Sequence, residues 1–541
     1  MACETQLLEK EFGRLTSAEY KYKQKVQPSE KIRHVEEEEP AYYMLLLTYL
    51  GYLIMIVCGH VQDYYAKVFH PETVADFMAK DGYAPLFSDF ESFYIRRLQK
   101  RLRDCFGRVV TGVPGRYITV LDRVSNDYNT TYKYLGTSTD CLNLSSYNYL
   151  GFAQSSGQCT DAAEVSINTE GVSSFGARAV CGTLDAHVKT EKRVAEFLGK
   201  EDALIYSMGY GTNASVFSSL VDKHCLVLSD ALNHGSIRYG ARLSGAVIKI
   251  FKHNDTKDLE RVLREQISQG QPKTHRPWKK ILVAVEGLYS MEGTMTDLPT
   301  MCDLRDRYKF YLFVDEAHSI GALGPRGRGI CDYLGVDPER VDILMGTFTK
   351  SFGATGGYIA ASHELINHLR VNNMGNVYAE SVSPPVLAQI TSALQTIDGE
   401  IRPGEGEERL ERIAFNSRYL RLALKRLGFI VYGIDDSPII PVLLYVPAKM
   451  PEMGRILLRM GIAVVVVGYP ATDIASSRAR FCMSAALTKE DLDRIIKVMW
   501  QLGNILSFKY GKGMPDANGK VRHWELSEVL ASGVEDCKKD W

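Results

Sequence analysis

Asp315 and His318 lie three residues apart in the stretch VDEAHSIG (314–321), at the end of an apolar run. An Asp-Glu-Ala-His tetrad can hold the Mg²⁺ of a nucleotide, as in helicases, or it can serve chemistry in which no nucleotide takes part. The first use needs a loop of the form G-x-x-x-x-G-K-[ST], because the acidic pair binds a metal already bridged by phosphates. The sequence has no such loop: its three Gly-Lys dipeptides, at Gly199, Gly511 and Gly519, lack the following Ser or Thr and the upstream glycine. Charge gives no pull toward nucleic acid either, since 64 Lys+Arg balance 65 Asp+Glu. No metal site is expected, because the 11 cysteines form neither a Cys-x-x-Cys pair nor a cluster with histidine.

Other reactive residues follow apolar runs as well. SMGYGTN (207–213) would present the backbone N–H groups of Gly209 and Tyr210 at a helix start, which suits an anion. SDALNHGS (229–236) brings His234 to the end of its run, and GTFTKSFGATGGY (346–358) carries Thr347, Thr349 and Lys350 on a loop dense in glycine and hydroxyl groups. An anion cradle, a carboxylate, two histidines and a lysine on one rim match what pyridoxal 5′-phosphate requires. The lysine forms a Schiff base with the aldehyde, and a carboxylate keeps the pyridine nitrogen protonated so that the ring withdraws electrons. Lys350 and Asp315 are the residues expected in those two places.

The elements that must carry these residues are short apolar runs at 203–208, 225–230, 246–251, 280–287, 310–316 and 342–348, most followed by helical stretches. Runs that are apolar throughout, without alternation, suit strands covered on both faces, so the reading is an α/β protein with a mostly parallel central sheet. Open sheets of this kind bind ligands at the carboxyl ends of their strands, where all the residues above fall. Residues 161–400 are expected as this large domain and 401–510 as a smaller C-terminal α+β domain. Residues 63–160 would be an N-terminal segment packed on the body, with an amphipathic helix at 87–104. Residues 1–39, ending in the run Glu36–Glu39, read as a polar, solvated arm, and 511–541 as a polar, irregular tail.

Residues 40–62 stand apart. From Pro40 to Gly59 there is no charge, close to the ~20 residues that cross a bilayer as a helix. Lys21, Lys23, Lys25, Lys31 and Arg33 precede it and only Lys67 and Lys80 follow closely, which places the N-terminal arm in the cytosol. A spanning helix would then put the body outside; an in-plane or re-entrant helix keeps it in the cytosol and is favoured, with the question of spanning left open.

The motifs SYNYLGF, SDALNHGS, EGLYSMEG, VDEAHSIGALGPRGRG, GTFTKSFGATGGY and RARFCMSAA together resemble the α-oxoamine synthases, fold-type I pyridoxal-phosphate enzymes that condense an amino acid with an acyl-CoA. Within that family, HRPWKKILVAVEGLYSMEG and VVVVGYPAT resemble the catalytic long-chain-base subunits, and the likeness runs from about residue 40 to 510. It implies condensation of L-serine with palmitoyl-CoA, with loss of CoA and carbon dioxide, to give 3-ketosphinganine. It also implies roles by position. Lys350 would hold the cofactor and move the α-proton, Asp315 would pair the pyridine nitrogen, His318 the ring hydroxyl, and His234 would stack on the ring. Thr347, with Thr349 beside it and the Gly209–Tyr210 turn opposite, would hold the phosphate. Asn148 and Arg480 would approach the substrate's carboxylate and acyl side.

Three positions depart from the family pattern. Glu380, in YAESVSPP, stands where the family usually has a Thr, which in homodimeric relatives reaches the phosphate of the neighbouring subunit's cofactor; Leu487 replaces a common His, and Gly235 a usual Ala. A carboxylate facing a phosphate is repulsive. Glu380 therefore fits a heterodimer whose second, homologous subunit lacks the lysine, with small regulatory membrane subunits as further partners. Lys538-Lys539 near the C-terminus resembles a dilysine retrieval signal, consistent with the endoplasmic reticulum membrane and a cytosolic body. Two other readings stay open: a synthase using glycine or alanine with a different acyl-CoA, and a non-catalytic membrane scaffold subunit.

Overall fold

The computed structural model describes residues 8–27, 38–85, 87–105 and 107–540. Three strands lead the body: β1 (Val110–Thr111), β2 (Tyr117–Val124) and β3 (Lys133–Asn143). The central sheet follows, with β4 (Asp202–Tyr206), β5 (Leu226–Asp230), β6 (Val247–Phe251), β7 (Ile281–Glu286), β8 (Tyr311–Asp315), β9 (Ile343–Thr347) and β10 (Gly357–Ala361), in the spatial order β4-β10-β9-β8-β7-β5-β6. The six apolar runs of the sequence are six of these strands, and all six point the same way. The seventh, β10, lies antiparallel to both its neighbours, β4 and β9.

The strands are apolar throughout because both faces are covered. Alternate side chains of one strand enter different cores: Leu226 and Leu228 of β5 and Leu312 and Val314 of β8 join the larger cluster, with Leu259, Leu263 and Met301 from helices. Val227 and Phe313, between them, join a second cluster with Val216, Phe217 and Ile237. The helices Gly209–Leu220, Gly235–Leu243, Thr256–Gln269 and Leu298–Tyr308 supply those partners between successive strands.

After residue 400 come the helices Glu405–Arg426 and Lys489–Ile505 and the strands β11 (Ile439–Leu443), β12 (Ile462–Ala463), β13 (Val465–Val467) and β14 (Arg478–Cys482). β12 pairs with β3 in parallel, so the chain before residue 160 and the chain after 401 share one sheet. β11, β14 and β13 form another.

Two terminal segments differ from expectation. Of the anticipated solvated arm, residues 1–7 and 28–37, with Lys31 and Arg33, lie outside the described residues, but 8–27 lie against the body. Phe12 sits under the guanidinium groups of Arg409 and Arg412, Gln24 donates to the Ala322 carbonyl (3.3 Å), and the Gly324 N–H donates to Gln24 (2.7 Å). Scattered aromatics (Phe12, Tyr20, Tyr22) supply contacts that average polarity conceals. The tail is not irregular: β15 (Met514–Pro515) and β16 (Val521–Arg522) form a hairpin, and the helix Leu526–Asp536 packs through Val529 and Gly533. The expected helix at 87–104 is broken into a short α-helix, a π turn (Tyr94–Leu98) and a 3₁₀ turn (Gln99–Leu102).

Candidate active site

β7, β8 and β9 end side by side, and the register that pairs Glu286 with Asp315 and Asp315 with Met345 sets two buried carboxyl groups next to each other below the loop that carries Lys350. Asp315 is fixed from two sides. Asn213, on the helix that begins at Gly209, donates Nδ2 to Asp315 Oδ2 at 2.7 Å, and the Ala317 N–H donates to Oδ1 at 2.9 Å. Both donors fix the direction in which the carboxyl oxygens point. Burial, with Asp315 beside it, pushes Glu286 well above the usual carboxylate range. Glu286 accepts from the His234 N–H at 2.5 Å, which anchors the start of the helix Gly235–Leu243.

His234 caps that helix, its Nδ1 accepting from the Ser236 N–H at 3.2 Å, and its ring meets Tyr210 edge-on at 6.0 Å. Burial lowers the His234 pKa, and Lys350 adds to this while Asp315 opposes it. His318 is buried and lowered further, by burial and then by Lys350; its Nδ1 is 2.8 Å from the Tyr149 hydroxyl. Lys350 is pushed down to about 8 by removal from water, with Asp315 and Glu286 countering. Its Nζ lies 5.6 Å from the centre of the Tyr147 ring, and the Arg480 guanidinium lies 4.8 Å from the same ring. Arg480 is buried, its Nε has no hydrogen-bond partner among the described residues, and its Nη1 reaches only the Ser290 carbonyl at 3.4 Å and Met291 Sδ at 3.5 Å. A buried cation so weakly paired suits a carboxylate from outside the chain.

The anion cradle forms where β4 and β9 end. A Cβ on Gly209 would stand 2.7 Å from Thr347 Oγ1, so only glycine lets the helix start come this close to β9. Thr347 Oγ1 is 2.8 Å from Thr349 Oγ1 and donates to the Gly356 carbonyl (2.9 Å), whose residue needs its φ of +101°. Cradle, carboxylate, lysine and weakly paired cation are the features a phosphorylated, protonated pyridine bound to an amino acid demands, so the residues present fit pyridoxal phosphate.

A cleft of about 1270 Å³ opens beside this cluster. His234 forms its inner wall, Arg238 and Lys257 bring positive charge, and the loop Tyr469–Asp473 closes another side; Lys350 is not among its lining residues.

Residues 139–499 match the family model for aminotransferases of class I and II. Serine palmitoyltransferase 2 of Kluyveromyces lactis is 58% identical over 98% of this chain and 95% of its own length. The Saccharomyces cerevisiae protein of the same name is 56% identical over equal shares. The chain belongs to the serine palmitoyltransferase family. Among solved serine palmitoyltransferases, that of Sphingomonas wittichii superposes with a TM-score of 0.68 at 27% identity, covering 78% of this chain and 99% of that one. The S. paucimobilis enzyme with bound PLP–myriocin gives the same score, identity and coverage.

The serine palmitoyltransferase fold thus brings Lys350, Asp315, His234, His318, Gly209, Tyr210, Thr347, Thr349 and Arg480 to one end of the sheet. Asn148 differs. Its Nδ2 donates to the Pro114 carbonyl (3.1 Å) and its Oδ1 accepts from the Ala153 N–H (3.2 Å), so both polar ends are spent tying its loop to itself and to the segment between β1 and β2. The tyrosines on either side of it, Tyr147 and Tyr149, face the lysine and His318. Those two, with Asn213 and Glu286, are the participants that the sequence reading missed. The signal for Asn213 was its position four residues past Gly209, one helical turn in and on the same face.

Proposed function

We propose that this chain is the catalytic subunit that condenses L-serine with palmitoyl-CoA, releasing CoA and carbon dioxide, to form 3-ketosphinganine, the first step of sphingolipid synthesis. The observation that carries the reading is a buried arginine, Arg480, whose Nε has no partner among the described residues, together with a lysine lowered to about 8 and an aspartate anchored by Asn213. Pyridoxal phosphate, when bound, would supply the electron sink that accepts the pair left at serine's α-carbon. Lys350 would hold the cofactor and then, once released from it as the neutral amine, take and return the α-proton; a pKa lowered to about 8 makes that form accessible near physiological pH. Asp315, oriented by Asn213, would keep the pyridine nitrogen protonated. His234 would cover one ring face from its cap position, and Thr347, Thr349 and the Gly209–Tyr210 helix start would hold the phosphate. Arg480 would take serine's carboxylate. His318, steadied by Tyr149, would face the ring hydroxyl. The cleft, with Arg238 and Lys257 against CoA phosphates, would receive the acyl-CoA.

We further propose that the chain sits at the endoplasmic reticulum membrane with its body in the cytosol. Support comes from the helix Tyr42–Phe69, whose mean hydropathy is 2.0 over its most apolar 18 residues. Met44, Thr48, Tyr52, Gly59 and Asp63 form one stripe buried on the body, while Leu46, Leu50, Leu53, Ile54 and Val57 are exposed opposite. A helix held lengthwise by the body has only its outer face for lipid, which suits an in-plane helix. Glu380 is exposed and pairs through its backbone with Ala177; it supports a heterodimer with a lysine-less homologue, to which small regulatory membrane subunits would add. Expression alone and with such a partner tests this: product is expected only from the pair, and full activity of the purified single chain would contradict the heterodimer.

A further inference from the structure

We infer that Tyr94 is a positioning residue through which the helix Tyr42–Phe69 holds the Tyr469–Ser476 wall of the cleft, and so sets how the cleft accepts a long-chain acyl-CoA. The choice of ligand rests on the functional reading above; the mechanical link does not.

The wall needs an outside hold. Tyr469, Pro470, Ala471, Thr472, Asp473 and Ser476 all line the cleft across from His234. The loop makes short-range bonds of its own, Ala471 N–H to the Gly468 carbonyl (3.1 Å) and Ser476 N–H to the Asp473 carbonyl (3.0 Å). Tyr469 is 41% exposed, so burial does not fix it. Tyr94 supplies the hold from outside: its hydroxyl donates to the Tyr469 carbonyl, and the two rings meet edge-on at 4.9 Å.

Tyr94 is in turn fixed to the apolar helix. It opens the π turn Tyr94–Leu98, an unusual conformation that shifts the following side chains around the axis. Arg96 and Arg97 of that turn both bind the buried Asp63, at 2.9 and 2.6 Å. Gly59 allows the approach, since a Cβ there would lie 2.8 Å from Phe93 Cζ and 3.1 Å from Arg97 Cβ. The same helix packs against the turn Ile474–Ser476 at the far end of the wall. The apolar helix therefore grips the loop at both ends, directly at 474–476 and through Tyr94 at 469. All of the gripping residues precede the segment that matches the aminotransferase model, which starts at residue 139. The device is an addition to the shared catalytic body, and it connects the lipid-facing element to one side of the cleft.

The test uses the full chain with its co-expressed partner and compares Tyr94→Ala and Tyr94→Phe with the parent. Hydrogen exchange of peptides covering 468–477, cofactor absorbance, the spectral response to serine, and KM for palmitoyl-CoA are measured. For Tyr94→Ala we expect loop exchange to rise about tenfold and KM for palmitoyl-CoA to change at least about fivefold, the scale of one lost hydrogen bond and ring contact. Absorbance and serine response should match the parent. Tyr94→Phe, which keeps the ring, should fall between. Unchanged loop exchange in Tyr94→Ala overturns the proposal, as does a joint loss of absorbance and serine response, which would make Tyr94 a support of the whole fold. Loop exchange reads the grip whether or not palmitoyl-CoA is the substrate. A raised exchange with a parent enzyme indifferent to palmitoyl-CoA would uphold the grip and refute the acyl-CoA reading alone.

Discussion

In the proposed reaction Lys350 would carry the chemistry, and its surroundings set its pH behaviour. The amine is lowered to about 8 in the folded chain, so the apoprotein's reactive free-base fraction grows as pH rises toward that value. The rate of cofactor uptake by apoprotein should rise with pH and level off above about 8, read by the growth of visible absorbance; a flat profile would remove the lowered lysine from the account. Arg480 should act on binding. Arg480→Ala is expected to raise KM for serine by roughly 30-fold or more, the cost of unpairing a buried charge, with cofactor absorbance retained. Asp315→Asn should lower kcat by about 10²–10³-fold, the usual cost of losing one aimed electrostatic partner. That Lys350, Asp315, His234 and His318 come together was legible in the sequence because Asp315 ends an apolar run, the other three follow one within four residues, and strand ends converge. Asn148 is a residue that the family resemblance alone implies; neighbours in a turning segment face different ways, and here the two tyrosines beside it face the lysine and His318. Glu286 was invisible because its role depends on a register with Asp315 across two strands that are 25 or more residues apart in the sequence.

At the scale of elements, the cradle depends on how closely the helix beginning at Gly209 can approach β9. Gly209→Ala sets a methyl group 2.7 Å from Thr347 Oγ1. It should weaken cofactor binding by roughly 1–3 kcal/mol, an ordinary overpacking cost, with thermal stability of the apoprotein changed far less; equilibrium dialysis against the cofactor checks it. Six strands were readable because double burial removes the polar alternation. β10 was not, since it opens with the Gly357 that ends the glycine-rich loop and runs antiparallel between β4 and β9. The tail misled for a related reason: its glycines and lysines near 511–520 conceal a helix that is held by long-range polar contacts. Arg418 donates to the Cys537 carbonyl (2.7 Å) and pairs with the buried Asp436 (3.1 Å). Arg418→Ala should cost about 3–5 kcal/mol, the penalty for leaving the buried Asp436 without its cation and held only by the Tyr333 hydroxyl (2.8 Å), visible as a lower denaturant midpoint.

Across the whole molecule, the chain before residue 160 and the chain after 401 close on each other through β3 and β12, while the apolar helix lies along the outside. Sequence order divides what the sheet joins, so the closure could not be read from the chain alone, whereas the uncharged stretch from Pro40 to Gly59 was plain from composition. Removal of residues 40–62 should move the protein from the membrane to the soluble fraction with cofactor absorbance intact. The most direct measurement is mass spectrometry of the long-chain bases formed from labelled L-serine and palmitoyl-CoA by this chain co-expressed with a lysine-less partner, beside the same pair carrying Lys350→Ala. The account predicts 3-ketosphinganine from the first and none from the second; equal product from both would contradict it.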